Sequence, residues 1–185
     1  MERSIIEKIT KIIRGRSIFL IGMMGCGKSK TGSKLAELLS YKYVDLDLLI
    51  ENLTKKSIYQ IFHNYGERKF RDLESECLKE SIRFPSLVIS TGGGVVTKPE
   101  NWGILRQGIT IWIDLKKEIA LERLKNDLEN RPLLHGEDLD HLYTKIFQDR
   151  QNLYSQADLR IQVKKENTEE VAMKIINAIH KKIIS

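Results

Sequence analysis

Two cysteines, Cys26 and Cys77, are all that 185 residues contain, and neither sits in a C-x-x-C pair. A disulfide framework is therefore excluded. Long apolar runs are missing too: none approaches the ~20 residues that cross a bilayer, so no membrane contact is expected. The chain has no internal repeat, low-complexity tract or linker, and its length suits one α/β domain better than two. A basic run or stripe is also absent. The formal net charge of +6 is dispersed, which argues against nucleic-acid binding. That charge serves an enzyme with anionic substrates, or simply solubility. The segment 1–16 carries Glu2 and Glu7 and little serine, a poor fit to an organelle transit peptide. Its stripe of Ile5, Ile6, Ile9, Ile12 and Ile13 predicts a short extra helix packed on the domain.

What the chain does contain is Gly22-Met23-Met24-Gly25-Cys26-Gly27-Lys28-Ser29, a match to G-x-x-x-x-G-K-[ST]. An apolar run, Ser17–Ile21, precedes it, and helical spacing of Leu35, Ala36, Leu38 and Leu39 follows. That strand–loop–helix context makes the match a physical statement. Glycines let backbone N–H groups curl around an anion, and the helix N-terminus adds positive potential. Lys28 would reach the β- and γ-phosphates, and the Ser29 hydroxyl would ligate Mg²⁺. The nucleotide-binding stretch is thus Gly25, Cys26, Gly27, Lys28, Ser29 and Lys30. Cys26 lies in an electropositive setting that favours thiol oxidation; the plainer reading is a small residue filling the position. No N-K-x-D guanine-reading motif accompanies the loop, which argues against a GTPase switch.

Further strands are expected at Tyr41–Asp45, Leu87–Ser90, Ile109–Leu115 and Leu159–Val163, with helices between them. Ser57 reads as an N-cap, Gly66 as a break before a helix over 67–83, and Thr168 as the cap of the last helix. Five alternating strands predict a parallel sheet with helices on both faces. Two segments depart from the alternation: the helical run 46–83 and the polar segment 126–138. In such folds ligands bind beyond the carboxyl ends of the strands, so both segments are candidate substrate covers.

Four constellations stand at those strand ends. Asp45 and Asp47 would face the same side if the strand persisted; one could hold Mg²⁺ through water and the other accept a proton. Arg71 and Glu74 share a helix face at i, i+3, either as a surface ion pair or as part of a site. Gly92, Gly93 and Gly94 allow close approach to the backbone. Arg131, in the polar segment, and Arg150, on the penultimate helix, are candidates for neutralising phosphoryl charge.

Taken together, the G-M-M-G-C-G-K-S loop, the D-L-D pair, G-E-x-x-F-R-x-x-E, S-T-G-G-G, R-P-L-L and the late R-x-x-L-Y resemble the shikimate kinase family, in order and spacing, across 17–163. The resemblance implies a P-loop, nucleoside-monophosphate-kinase-like fold: one domain over 1–185, with a helical extension at 1–16, a substrate-binding region at 46–83 and a lid at 126–138. It implies ATP-dependent phosphorylation of the shikimate 3-hydroxyl, with Mg²⁺. Lys28, Asp47 and Arg131 would be catalytic; Ser29 and Asp45 would hold the metal. Asp47, Arg71, Glu74, Gly92, Gly93, Gly94 and Arg150 would bind substrate, Glu74 by orienting Arg71. An arginine before the lid stacks on adenine in the family, and the spacing leaves Arg123 and Lys125 open. Lys30, where the family often has Ser or Thr, is expected to face away from the nucleotide. A cytoplasmic monomer is expected. The alternatives are another small-molecule P-loop kinase or a non-catalytic relative.

Overall fold

The computed structural model describes residues 2–125, 133 and 138–184. In chain order it runs α1 (Glu2–Ile13), β1 (Ile18–Ile21), α2 (Lys28–Leu39), β2 (Lys42–Asp45), α3 (Leu46–Thr54) and α4 (Ile58–Ser81). Then follow β3 (Leu87–Ser90), a 3₁₀ turn (Val95–Thr97), α5 (Pro99–Leu105), β4 (Ile109–Leu115) and α6 (Lys117–Leu124). The chain closes with α7 (Leu139–Tyr154), β5 (Leu159–Val163) and α8 (Thr168–Ile184).

All pairings in the sheet are parallel, in the order β2-β3-β1-β4-β5. The short strands β1 and β3 are buried along their whole length and read as unbroken apolar or near-apolar runs, as strands covered on both faces do. β1 leads away toward β2, whereas β3 leads across to β4. The crevice between β1 and β3 is therefore the topological switch point, where open α/β sheets bind ligands. In register, Asp45 pairs with Ser90 and Ser90 with Leu20, so the loops after three strands emerge side by side.

Local chemistry explains the element boundaries. Ser57 Oγ accepts from the Gln60 N–H and Gln60 Oε1 from the Ser57 N–H, a reciprocal capping box that starts α4. Gly66, at φ 77° and ψ 168°, interrupts α4, the break that its type suggests. The last helix differs from the sequence reading. Asn167, not Thr168, is its cap: Asn167 Oδ1 accepts from the Glu170 N–H and Glu170 returns a bond to the Asn167 N–H. Asn and Thr are both good caps, and the residue that completes the box three positions on, Glu170, selects Asn167. Among the described residues no helix is long and apolar enough to cross a membrane.

One face of the sheet carries α1, α2 and α8. Of the predicted isoleucine stripe of α1, Ile9 and Ile13 are enclosed at 0% and 1% exposure and Ile5 and Ile6 are half-buried, whereas Ile12 is exposed. Cys77 is buried, as its helical spacing suggested. Because Ile9 is enclosed on a helix that contacts both α2 and α8, Ile9→Ala should lower stability by about 2–5 kcal/mol, the cost of truncating a core isoleucine. Urea denaturation checks this; a loss of less than ~0.5 kcal/mol, the size of a surface substitution, would mean that α1 rides loosely on the domain.

Candidate active site

The P-loop turns out of β1 on glycines with positive φ, Gly25 at 77° and Gly27 at 93°, a region in which side chains are strained. Gly27 is the N-cap of α2 and no side chain caps that helix. Its first N–H groups are left for an anion. Lys28 Nζ donates to the carbonyls of Gly22 at 2.8 Å and Met23 at 2.9 Å, and lies 3.6 Å from Cys26 Sγ. Cys26 itself is buried beneath the loop. Ser90 Oγ donates to the Lys28 carbonyl and Thr91 Oγ1 to the Leu20 carbonyl, both at 2.9 Å, which ties the end of β3 to the start of α2 and to β1.

The two aspartates are brought together differently from the strand geometry expected. β2 ends at Asp45 and α3 begins at Leu46, so Asp47 lies in a helical first turn. Alternation along a strand does not apply to the pair. The cause is Asp45 itself, whose Oδ1 accepts from the N–H groups of Asp47 and Leu48 and thereby starts the helix. Its other oxygen, Oδ2, accepts from Ser29 Oγ at 2.6 Å and from the Tyr43 hydroxyl at 3.1 Å. Burial, ahead of the neighbouring Asp45 charge, pushes the Tyr43 phenol up to about 12, so it stays a donor.

Two cavities open here. The larger, about 660 Å³, is lined by the whole of Gly25–Ser29, by Asp45 and by Arg123. Lys30, exposed on the first turn of α2, lines it as well. Arg123 Nη1 donates to the Gly25 carbonyl at 3.2 Å. The structure thus brings Arg123 to the P-loop, and Lys125 does not line the cleft. The second cavity is lined by Asp47, Arg71, Arg150 and Gly92–Gly94, with Ile58, Phe62 and Phe70 as its apolar wall. Asp47, Met24 and Gly93 line both.

Arg71 and Glu74 are no surface pair. Their side chains are 8% and 0% exposed, and Arg71 Nη1 donates to Glu74 Oε2 at 2.7 Å. Burial pushes the Glu74 carboxyl up, against the pull of Arg71 and Arg150. For Arg71 burial works downward, and Glu74 followed by Glu67 carries the guanidinium above its usual value. Arg71 therefore remains a cation. Among the described residues Glu74 Oε1 is buried without a hydrogen-bond partner.

The glycine triplet serves these groups. A Cβ at Gly92 would overlap Glu74 Oε1, and one at Gly94 would overlap the Arg71 guanidinium. Close approach to the backbone was the expected use of the glycines; at Gly92 and Gly94 the approaching atoms are the protein's own. Gly93 is held from below by Tyr154, whose hydroxyl donates to the Gly93 carbonyl at 2.5 Å. Burial raises the Tyr154 phenol, and its ring stacks on Trp112 at 5.8 Å.

Two residues here escaped sequence reading. Glu67 accepts from Arg71 Nε and Nη2; its i, i+4 spacing to Arg71 was the available signal. Tyr154 was visible as part of R-x-x-L-Y but had no assigned task. Arg131, and the expected lid over 126–138 apart from Leu133 and Asp138, lie outside the described residues. Leu133 lines the second cavity.

Comparison with known proteins agrees with this fold. The model of the family "Shikimate kinase" matches residues 24–180. A shikimate kinase of Prochlorococcus marinus strain NATL2A is 51% identical over 158 residues, covering 85% of this chain and 80% of that protein. Among solved structures, the shikimate kinase from Acinetobacter baumannii in complex with shikimate superposes with a TM-score of 0.91 at 32% identity, covering 96% of this chain and 99% of that one. The Mycobacterium tuberculosis APS kinase CysC shares the fold, with a TM-score of 0.60 at 16% identity over 89% and 97% of the two chains. A P-loop, a seam of two cavities and a buried guanidinium thus meet a family match over most of the sequence, and the chain belongs to the shikimate kinase family.

Proposed function

We propose that the protein transfers the γ-phosphoryl group of ATP to the 3-hydroxyl of shikimate, giving shikimate 3-phosphate and ADP. The observation that carries this reading is the shared wall of the two cavities, where Asp47 stands between a P-loop cleft and a pocket holding two arginines. Binding of shikimate by the Acinetobacter baumannii relative supports the choice of acceptor.

Shikimate is a hydroxylated cyclohexene carboxylate, and each part meets a suitable group. Its carboxylate takes charge-assisted hydrogen bonds from Arg71 and Arg150. Its ring lies against Phe62 and Phe70, whose own rings are 4.8 Å apart. Its hydroxyls are oriented by Asp47, which receives the 3-hydroxyl proton as the oxygen attacks phosphorus. Glu74 fixes Arg71 from within the core, and the backbone of Gly93 and Gly94 forms the floor. On the donor side, the N–H groups of Gly25–Lys30 and the Lys28 ammonium hold the β- and γ-phosphates, and Arg123 lies toward the base. Arg131 would come with a lid over 126–138 onto the transferring group. Phosphoryl transfer asks for positioning and charge neutralisation more than covalent chemistry, and this inventory supplies both.

Ser29 and Asp45 are the residues that would hold Mg²⁺. Among the described residues no group of three or more His, Cys, Asp and Glu side chains could hold a metal. A hydroxyl backed by a carboxylate at 2.6 Å fits an ion borne largely by the nucleotide's phosphates, whose charge it neutralises. We further read the protein as a cytoplasmic monomer without nucleic-acid partners, with 1–16 as a packed extension and 46–83 as the substrate-binding region.

A coupled ADP-release assay with ATP and Mg²⁺ tests the reaction. Shikimate should be turned over, and AMP and gluconate should not; rapid turnover of AMP with none of shikimate would sink the reading. Asp47→Ala should lower kcat at least ~100-fold, as for loss of a general base, with ATP binding preserved. Loss of nucleotide binding in that variant would move Asp47 into the metal shell. Arg71→Lys should raise KM for shikimate roughly 10- to 100-fold, because a point-like ammonium cannot reproduce a fork. An unchanged KM would confine Arg71 to a structural role.

A further inference from the structure

Arg71 is already shared by two carboxylates of its own helix. A guanidinium has five N–H donors, set as a side fork of Nε and Nη2 and an end fork of Nη1 and Nη2. Glu67 Oε1 accepts from Nε at 3.2 Å and from Nη2 at 3.0 Å, so it takes the whole side fork. Glu74 Oε2 takes one N–H of Nη1 at 2.7 Å. Three of the five donors are thus engaged, and the side fork stays closed to another carboxylate for as long as Glu67 holds it.

The two acids differ in their freedom to do so. Glu74 is fully buried against Gly92. Glu67 is 47% exposed and follows directly on Gly66, where the helical backbone is interrupted and, among the described residues, nothing packs within 4 Å of the position a Cβ would take. Its contacts to Arg71 are also the longer ones. Charge points the same way. With Glu67 on its side fork and Glu74 bonded to Nη1, Arg71 has its charge already countered before a ligand arrives.

We propose that Glu67 is a displaceable stand-in for the substrate carboxylate on Arg71, and that its eviction sets the affinity and selectivity of the acceptor pocket. The proposal rests on the shikimate reading above. Binding exchanges one carboxylate for another on the same fork, so the gain is the difference between the two contacts. A ligand that Arg150 and Asp47 also hold wins that exchange; a small carboxylate with no second anchor does not. Glu67 touches no reacting atom and acts through Arg71, as a specificity-determining residue.

Calorimetric titration of the full chain with shikimate, alongside kcat and KM, tests this on Glu67→Ala and Glu67→Asp. Both should bind shikimate more tightly by roughly twofold to fivefold, the worth of a half-exposed ion pair, with KM lowered and kcat unchanged. Aspartate keeps the charge but is a methylene too short for the side fork, so it should behave like alanine. Tighter binding by the alanine variant with wild-type binding by the aspartate variant would assign the effect to long-range repulsion and overturn the proposal. Unchanged or weaker binding in both would make Glu67 a prop for Arg71, and would overturn it as well. Failure of the unaltered protein to bind shikimate would overturn the functional reading together with this one, and the first titration separates that case from the others.

Discussion

The parallel pairing of β1 with β3 is the constraint on which the site depends. Leu20 stands opposite Ser90, and Ser90 opposite Asp45. That single row fixes where the P-loop, the glycine turn and the aspartate pair leave the sheet. A slip of one residue would reverse every side chain on the strand that moved, and both strands are buried on both faces, where a slip is least tolerated. Ser90 and Thr91 then secure the row with hydroxyl bonds to the carbonyls of Lys28 and Leu20. The phosphate loop is therefore positioned by side chains on a neighbouring strand as well as by its own glycines.

On that frame sits an electrostatic arrangement whose cost is met locally. Taking Arg71 and Glu74 out of water is unfavourable, and a buried ion pair recovers that penalty only with close geometry and further hydrogen bonds. The 2.7 Å contact supplies the first. The second is incomplete, since Glu74 Oε1 has no partner among the described residues. The pair is better understood as holding a guanidinium in one orientation at the pocket wall than as a source of stability. Tyr154 does the matching work on the opposite side, binding the Gly93 carbonyl while Arg150, one turn earlier on α7, lines the cavity.

Much of this was legible in the chain before any coordinates. The P-loop could be read because its glycines, lysine and serine each have a separate physical reason to be there. Strands β3 and β4 could be read because buried parallel strands are short apolar runs with turn residues at their ends, and the edge strand β5 because its apolar residues alternate with polar ones. The break at Gly66 and the cap at Ser57 announced themselves by residue type. What could not be read was relational. Asp45 and Asp47 look like alternating strand positions until Asp45 is seen to cap α3 and so end the strand. Asn167 and Thr168 are equally plausible caps until Glu170 completes the box with one of them. The i, i+3 spacing of Arg71 and Glu74 is the same on a solvated helix and in a core; only packing against the glycine turn distinguishes the two.

That packing has an evolutionary consequence. The absent side chains of Gly92 and Gly94 are the space occupied by Glu74 and Arg71. Four positions on two distant segments therefore form one unit of inheritance. A larger residue at either glycine is barred by the ion pair, and a smaller residue in the pair leaves a void over the turn. Single steps at these positions lead downhill, and a lineage that altered this wall of the pocket would need to change helix and turn together.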